Sequence, residues 1–224
     1  MKRIIIPTTY HQDTLAALRL ATEMNTQGEL TITLLTISEL PDSITDLLFL
    51  LPRPKEDEQA RQALIRSAEQ VIQTSRGAVV LHHEHQYGVT RPTIMQVLDR
   101  LNTDMIIVPL SFQRSGNYLH KSLLSVLHNL NYPLMLLPLE EAVPAAIQRA
   151  LYLHEDVTPA PNALAQLPFH VIHQSMLTEA MEDQTLQSVI NKFNINLVVQ
   201  SRTNHQVPQN NALTTELKLP VLTV

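Results

Sequence analysis

The chain has 224 residues, 44% of them hydrophobic, and a formal net charge of −5 at pH 7. A chain of this length buries one large core or two small ones. The absence of cysteine excludes disulfides, thiol catalysis and cysteine-ligated zinc, and the negative net charge gives no electrostatic footprint for nucleic acid.

The hydrophobic residues are too dispersed for a membrane segment, because no run reaches the 18 apolar residues of a spanning helix. The opening run Ile4 to Ile6 follows two basic residues but is too short for a signal peptide. A chain without cysteine is compatible with a reducing compartment. We therefore expect a cytoplasmic protein that does not associate with membranes.

The opening residues predict a strand, a loop and a helix. Arg3 to Ile6 is almost wholly apolar, which is typical of a strand buried on both faces. The polar loop Thr8 to His11 follows, and Asp13 is expected as the N-cap of the first helix. Gly28 marks the end of that helix, before a second strand rich in β-branched residues, Leu30 to Ile37.

The next segment is irregular and contains one strongly apolar run, Leu47 to Leu51. Two interpretations of this run stay open: an exposed surface for a partner or a second copy, or a lid folded onto the sheet edge. A helix is predicted over Glu56 to Arg76, since apolar residues recur on one side and Gly77 ends it. Ala78 to Leu81 predicts a third strand, with His82 to Tyr87 as its polar exit.

A helix, a strand, a second helix and a fifth strand follow. Thr90 is the expected cap of the first of these helices, and Met105 to Leu110 has the composition of a doubly buried strand. Apolar residues recur at helical spacing from Leu119 to Leu130. Pro133 ends that helix, because the residue before a proline avoids helical angles, and Leu134 to Leu137 is the fifth strand.

Strands and helices thus alternate as β-α-β-α-β-α-β-α-β over residues 1–139. This order predicts an α/β, Rossmann-like fold with an open, doubly wound parallel five-stranded sheet. Ligands of such sheets bind beyond the carboxyl ends of the strands, at the point where the strand order reverses. A binding site is therefore expected at two loops, Pro7 to Asp13 and Leu110 to Leu119.

Residues 140–224 repeat part of the pattern. A helix is predicted from Asp183, and strands are predicted at Ala150 to Leu153, Phe169 to Ile172, Ile195 to Val199 and Pro220 to Val224. The segment LKLPVLTV echoes NYPLMLLP, and INLVVQS echoes DMIIVPLS. We interpret residues 140–224 as a truncated second copy that has lost at least one strand and helix and packs against the first.

Residues 1–138 resemble the universal stress protein (UspA-like) family. The opening KRIIIPTTYHQDTLAALRLA is similar to the family's first strand, loop and helix, and Pro133 to Leu137 to its closing Pro-Val-Leu-Val-Val. The resemblance implies an adenine-nucleotide alpha-hydrolase-like fold whose members often bind ATP or another adenine nucleotide, commonly pair into dimers and rarely show strong catalysis. In tandem members two copies within one chain mimic that dimer.

The motif with which the family holds nucleotide is degenerate here. The family's first-loop Asp falls on Thr9, and its Gly-x-x-Gly falls on Pro109 and Phe112. Proline has no N–H for a phosphate, and Phe112 is bulky where backbone should approach closely. The last glycine of the motif would fall near His120 or near Leu124, and it is missing under either alignment.

Two hypotheses of function follow. The first is a non-enzymatic stress-response protein without a cofactor, its ATP site lost, that acts as a homodimer or other self-association or through an unknown protein partner. The second is an adenine-nucleotide-binding sensor or weak ATPase with an altered set of residues: Thr8, Thr9, Ser115, Gly116, His120, Lys121 and Ser122. A third alternative is another small ligand in the same crevice. The missing glycines and Thr9 favour the first hypothesis.

Two other constellations carry weaker hypotheses. His83 and His85 would share one face of an extended segment and, with Glu84, form a candidate zinc or nickel site. A solvated polar edge is the preferred interpretation of this stretch. Ser111 and Ser115 lie in no nucleophile-elbow context, so a hydrolase triad is not predicted.

Overall fold

The computed structural model describes residues 2–25, 28–40, 58–75, 77–154, 169–175, 183–201, 214 and 217–224. The strands of the first half lie at Lys2–Pro7 (β1), Glu29–Ser38 (β2), Ala78–Tyr87 (β3), Met105–Val108 (β4) and Leu134–Leu136 (β5). The helices between them are Asp13–Met24 (α1), Glu58–Thr74 (α2), Arg91–Arg100 (α3), Leu110–Gln113 (α4) and Tyr118–His128 (α5).

The second half contributes four further strands and one long helix within the described residues. The strands are Arg149–His154 (β6), His170–Ser175 (β7), Leu197–Gln200 (β8) and Val221–Thr223 (β9), and the helix is Asp183–Phe193 (α6). A short 3₁₀ helix, Glu140–Ala142, lies between the halves. All nine described strands join one sheet, in the order β3-β2-β1-β4-β5-β9-β8-β6-β7.

The two halves of this sheet have related strand orders. In the first half β1 pairs in parallel with β2 on one side and with β4 on the other, and β5 follows β4. In the second half β6 pairs in parallel with β7 and β8, and β9 follows β8. The order β7-β6-β8-β9 therefore reproduces β2-β1-β4-β5, and no strand within the described residues stands in the position of β3.

The halves meet through an antiparallel pair at the centre of the sheet. Strand β5 pairs with β9, so that Met135 lies opposite Leu222. Strand β9 is thus held on both sides, by β5 and by β8. The predicted boundary after residue 139 falls between β5 and β6. The division of the chain into two domains at this boundary stays a prediction.

The core lies on both faces of the sheet. On one face α1 and α2 cover a cluster that continues from the first half into the second, from Ile4 through Met135 to Tyr152 and Leu222. On the other face α3 and α5 cover a cluster around Ile5, and α6 packs on a separate cluster in the second half. The halves are therefore joined by this shared cluster as well as by the pairing of β5 with β9.

The prediction of an α/β fold with a mostly parallel sheet is confirmed, with three local corrections. The sheet has nine described strands rather than five, because the second half extends it edge to edge. The third strand does not stop at Leu81 but runs through Tyr87, since Gly88 and β2 continue the ladder. Residues after β4 form the short helix α4 instead of an open loop.

The sequence predicted Asp13 as the N-cap of α1, and this prediction is wrong. Gln12 holds the cap position, and Asp13 is the first helical residue, with a side chain only 6% exposed. The apolar run Leu47 to Leu51 lies outside the described residues, so both interpretations of it stay open. No helix in the described part of the chain is long and apolar enough to cross a membrane.

Candidate functional site

The strand order reverses between β1 and β4. The chain continues from β1 to β2 on one side of this pair and from β4 to β5 on the other side. The segments that leave these two strands are residues 8–12 and 109–117. Both segments meet at the carboxyl edge of the sheet, which is where ligands of doubly wound sheets bind. The predicted site residues lie in these segments and at the start of α5.

Thr8 faces the interior and organises its own loop. It is 2% exposed, and its N–H donates to the Leu35 carbonyl oxygen at 2.9 Å. Its Oγ1 accepts from the Tyr10 N–H at 2.9 Å and shares a hydrogen bond with Thr14 Oγ1 at 2.9 Å. The hydroxyl of Thr8 is therefore used in holding a tight turn, where Tyr10 has a φ of 58°.

Asp13 bridges the two segments across the switch point. Its Oδ2 accepts from the Ser111 N–H at 2.7 Å, and its Oδ1 accepts from Ser111 Oγ at 2.7 Å. Thr9 Oγ1 lies 3.2 Å from the same Ser111 Oγ, and His11 Nδ1 lies 3.2 Å from Asp13 Oδ1. One nearly buried carboxylate thus ties the start of α1 to the start of α4.

Gln113 closes the neighbouring gap between β4 and β5. Its Nε2 donates to the carbonyl oxygens of Val108 and Leu137, both at 2.9 Å. Val108 is the last residue of β4, and Leu137 directly follows β5. The amide therefore continues the pairing of β4 with β5 past their ends and holds α4 against the sheet.

His120, Ser115 and Phe112 form a compact cluster at the start of α5. His120 Nδ1 lies 2.7 Å from Ser115 Oγ, and its ring lies 4.5 Å from that of Phe112, centroid to centroid. Burial lowers the pKa of His120 from its ordinary value of 6.5, because desolvation disfavours the charged imidazolium. His120 is therefore uncharged at neutral pH and offers no positive charge to a phosphate.

Gly116, Lys121 and Ser122 do not converge on a ligand. Gly116 is exposed, and a Cβ built on it would meet nothing within 4 Å, so no close approach requires a glycine there. The Lys121 side chain is exposed, and Ser122 lies half-buried on α5. Of this group, Lys121 supplies the available charge.

Most backbone donors of this region are already used. A phosphate cradle needs N–H groups that point at the ligand and have no other acceptor. Seven N–H groups here donate to oxygen atoms of the chain itself: those of Ser111, Gln113, Arg114, Ser115, Asn117, Leu119 and Lys121. Six of these bonds are local to residues 109–121, and the bond from Ser111 to Asp13 crosses between the two segments.

The structure therefore divides the predicted set. Thr9 joins the Asp13–Ser111 bridge, Thr8 packs beneath it, and Ser115 binds His120 in a separate cluster. Asp13 and Gln113 were not among the predicted site residues. Their positions just after β1 and β4 were a signal, because polar residues there meet at one edge, but their partners depend on the unforeseen helix α4.

The histidines lie within edge strand β3 rather than beyond it. His85 Nδ1 forms a 2.9 Å hydrogen bond with Thr36 Oγ1. Burial, and next the charge of Arg61, lower the pKa of His83. Among the described residues no group of three histidine, aspartate or glutamate side chains is arranged to hold a metal ion, so the pair His83 and His85 has no third ligand there.

No protein-family model and no curated protein sequence matches the chain. Similarity is found among solved structures. A universal stress protein from Archaeoglobus fulgidus aligns over 99% of this chain and 97% of its own, with 12% identity and a TM-score of 0.62.

Two shorter alignments cover 61% of this chain and 96% of the other protein, each at 12% identity. One is with a universal stress protein in complex with cAMP, at a TM-score of 0.40, and the other with a universal stress protein family member from Burkholderia pseudomallei, at 0.41. The fold assignment rests on the alignment that spans the whole chain. This chain has the Rossmann-like fold of the universal stress proteins.

Proposed function

We propose that the chain is a cytoplasmic member of the universal stress protein family that acts without catalysis, through contacts with other proteins. On this proposal the ATP site of the family is lost from the switch point. The observation that carries the proposal is the Asp13 carboxylate, both of whose oxygens accept hydrogen bonds from Ser111 across the crevice. A phosphate brought there would meet a negative charge.

Charge and hydrogen bonding at the crevice support the same conclusion. Asp13 repels an anion, and His120 is uncharged at neutral pH because burial lowers its pKa. Phe112, which is 1% exposed, fills space beneath α5 rather than leaving backbone accessible. Seven of the N–H groups between Ser111 and Lys121 already donate within the chain, which leaves fewer donors for a nucleotide.

Self-association on this proposal uses a surface other than the edge of β5. That edge already pairs with β9 of the same chain, so a second copy has no free backbone groups to pair with there. The two outer strands of the described sheet are β3 and β7. Among the described residues no further strand pairs with the outer edge of either one, and an unpaired strand edge is a common route of strand addition between chains.

Nucleotide binding by the purified protein tests the proposal. Isothermal titration with ATP and Mg²⁺, beside a thermal-shift series with ATP, ADP, AMP and cyclic AMP, should show no specific binding. A ligand at about 100 times its dissociation constant adds about 2.7 kcal/mol to stability, so a genuine site is readily detected. Sedimentation of the same sample reports self-association.

A matched pair of variants assigns any binding that does occur. Lys121→Gln removes the exposed charge at the start of α5, and Lys192→Gln removes an exposed charge on α6 in the second half. Nucleotide affinity that falls with the first change and not with the second would refute the lost site. It would support the sensor or weak ATPase, with Thr9, Ser115 and Lys121 as its first residues.

A further inference from the structure

A second cleft lies on the opposite edge of the sheet, at the amino-terminal side of the strands. Helix α3 ends at Arg100, and Asn102, with a φ of 48°, turns the chain back toward β4. The end of this helix lies beside residues of β1, β2 and β3. The cavity left there has a volume of about 250 Å³, and its polar lining is Arg3, Thr31, Thr33, His82, Arg100 and Asn102.

The strand register brings the polar side chains to one face. Arg3 lies opposite Thr31, and Thr33 lies opposite His82. Residues directly opposite in neighbouring strands project to the same side of a sheet. Three successive strands thus contribute a guanidinium, two hydroxyls and an imidazole to the floor of the cleft, while Arg100 and Asn102 form its wall.

The cleft holds more positive than negative charge, in a chain whose net charge is negative. Within the described residues the guanidinium of Arg3 forms no ion pair, and no side-chain hydrogen bond involves Thr31 or Thr33. Arg100 Nη2 lies 2.5 Å from Glu84 Oε1. Nearby, the carboxylate of Asp104 accepts from the backbone N–H of Arg3 at 2.8 Å, so it is bound to main chain.

These donors lack an acceptor of matching chemistry. Thr33 lines the cleft, and its hydroxyl has no hydrogen bond within the described residues, so it is available to a bound ligand. Guanidinium groups bind planar or tetrahedral oxyanions through paired N–H donors. The volume is below the roughly 300–1,000 Å³ of pockets for drug-sized ligands, so the cleft suits a small ligand rather than a whole dinucleotide.

We propose that this cleft binds the phosphate group of a small phosphorylated molecule, with Arg3 and Arg100 as its charged donors and Thr31, Thr33 and His82 as its floor. The site is separate from the switch point, because its β1 residues precede Ile6 and the switch-point loops begin after Pro7. The proposal for this cleft does not depend on the proposed loss of the ATP site, because none of the cleft residues lies in the crevice at the switch point.

Inorganic phosphate is the probe for the full-length protein, titrated by calorimetry at constant ionic strength with chloride as the compensating anion. Arg3→Gln should weaken phosphate binding about tenfold or more, since it removes a charge-assisted donor pair. Arg19→Gln is the matched control, because Arg19 is exposed on α1, which covers the other face of the sheet. It should leave the affinity unchanged.

A third variant predicts a change of opposite sign. Glu84→Gln releases Arg100 from its ion pair and should strengthen phosphate binding. Thermal denaturation of each variant checks that the sheet is intact. Absence of phosphate binding to the parent chain, or equal affinity in the parent and Arg3→Gln, would overturn the assignment.

The nucleotide experiment is read independently. Binding of ATP that Arg3→Gln abolishes and Lys121→Gln preserves supports the cleft and leaves the lost switch-point site standing. The reverse pattern refutes the proposed function, and the titration with inorganic phosphate then decides the cleft.

Discussion

The bridge from Asp13 to Ser111 gives the sharpest test of how the switch point is closed. The change is Asp13→Ala, which removes the acceptor of two 2.7 Å hydrogen bonds. Ser111 Oγ can turn toward Thr9 Oγ1, 3.2 Å away, but the Ser111 N–H is left with no acceptor. Hydrogen bonds to a charged group contribute about 1.5–3 kcal/mol each, and an orphaned buried donor costs about 1–3 kcal/mol.

We therefore expect Asp13→Ala to lower the free energy of unfolding by about 3 kcal/mol. Asp13→Asn retains one oxygen for the Ser111 N–H, and the Ser111 hydroxyl can accept from the new amide. It loses the charge at the start of α1, which is worth about 0.3–1 kcal/mol in the helix dipole. The loss for Asn should thus be about 1 kcal/mol.

Urea denaturation followed by circular dichroism measures both values, with the slope against urea as a check on two-state behaviour. Ser111→Ala and the double variant complete a cycle whose coupling energy should be about 1–3 kcal/mol. An Asp13→Ala variant within about 0.5 kcal/mol of the parent, the scatter of ordinary surface changes, would show that the bridge does not hold the crevice.

Three further substitutions and one titration test other parts of the structure. Gly116→Ala should be neutral or stabilise by up to about 1 kcal/mol, because the position is open and lacks a positive φ; a loss in thermal denaturation would contradict this. Tyr132 donates a hydrogen bond to Asp99. This hydrogen bond, together with burial and the charge of Asp99, raises the pKa of Tyr132 to about 12. Its contribution to stability is complete below the ordinary pKa of 10 and is lost as pH rises toward 12, so phenolate absorbance should show one late-titrating tyrosine that Tyr132→Phe removes. The lowered pKa of His120 has the opposite sign: its contribution is present above pH 6.5 and lost at lower pH, and its NMR titration midpoint should lie below 6.5. Leu222→Ala should destabilise by about 2–5 kcal/mol, since Leu222 is fully buried in the cluster shared by both halves; a much smaller loss by urea denaturation would show that the halves do not depend on this cluster.

The elements of the first half were predictable because each follows a single local rule. Doubly buried strands such as Met105–Val108 are short apolar runs, and Pro133 separates α5 from β5 by backbone sterics. Strand β3 was cut short because its second half is a continuous polar run, His82 to Gln86. That composition is typical of a strand at a sheet edge, but it looks like a loop when the neighbours are unknown.

The bridge at the switch point joins residues that are far apart in sequence. Asp13 and Ser111 are separated by 98 residues, and the sequence favoured a local role for Asp13 as a cap. The same limit applies to the cleft that contains Arg3 and Arg100, because its lining residues come from three strands and from the end of a helix. Residue type alone indicated neither site, because their chemistry arises from the register of β1, β2 and β3.

Strand β9 also sets an order of events during synthesis. It is inserted between β5 and β8, although it follows every other strand of the sheet along the chain. Until residue 223 has left the ribosome, β5 and β8 each present an open edge, and the two halves are joined only by the segment between β5 and β6. Exposed edges of this kind promote pairing with other chains. The completed sheet is therefore reached only after translation of β9, and the nascent chain before that point is the form most exposed to aggregation.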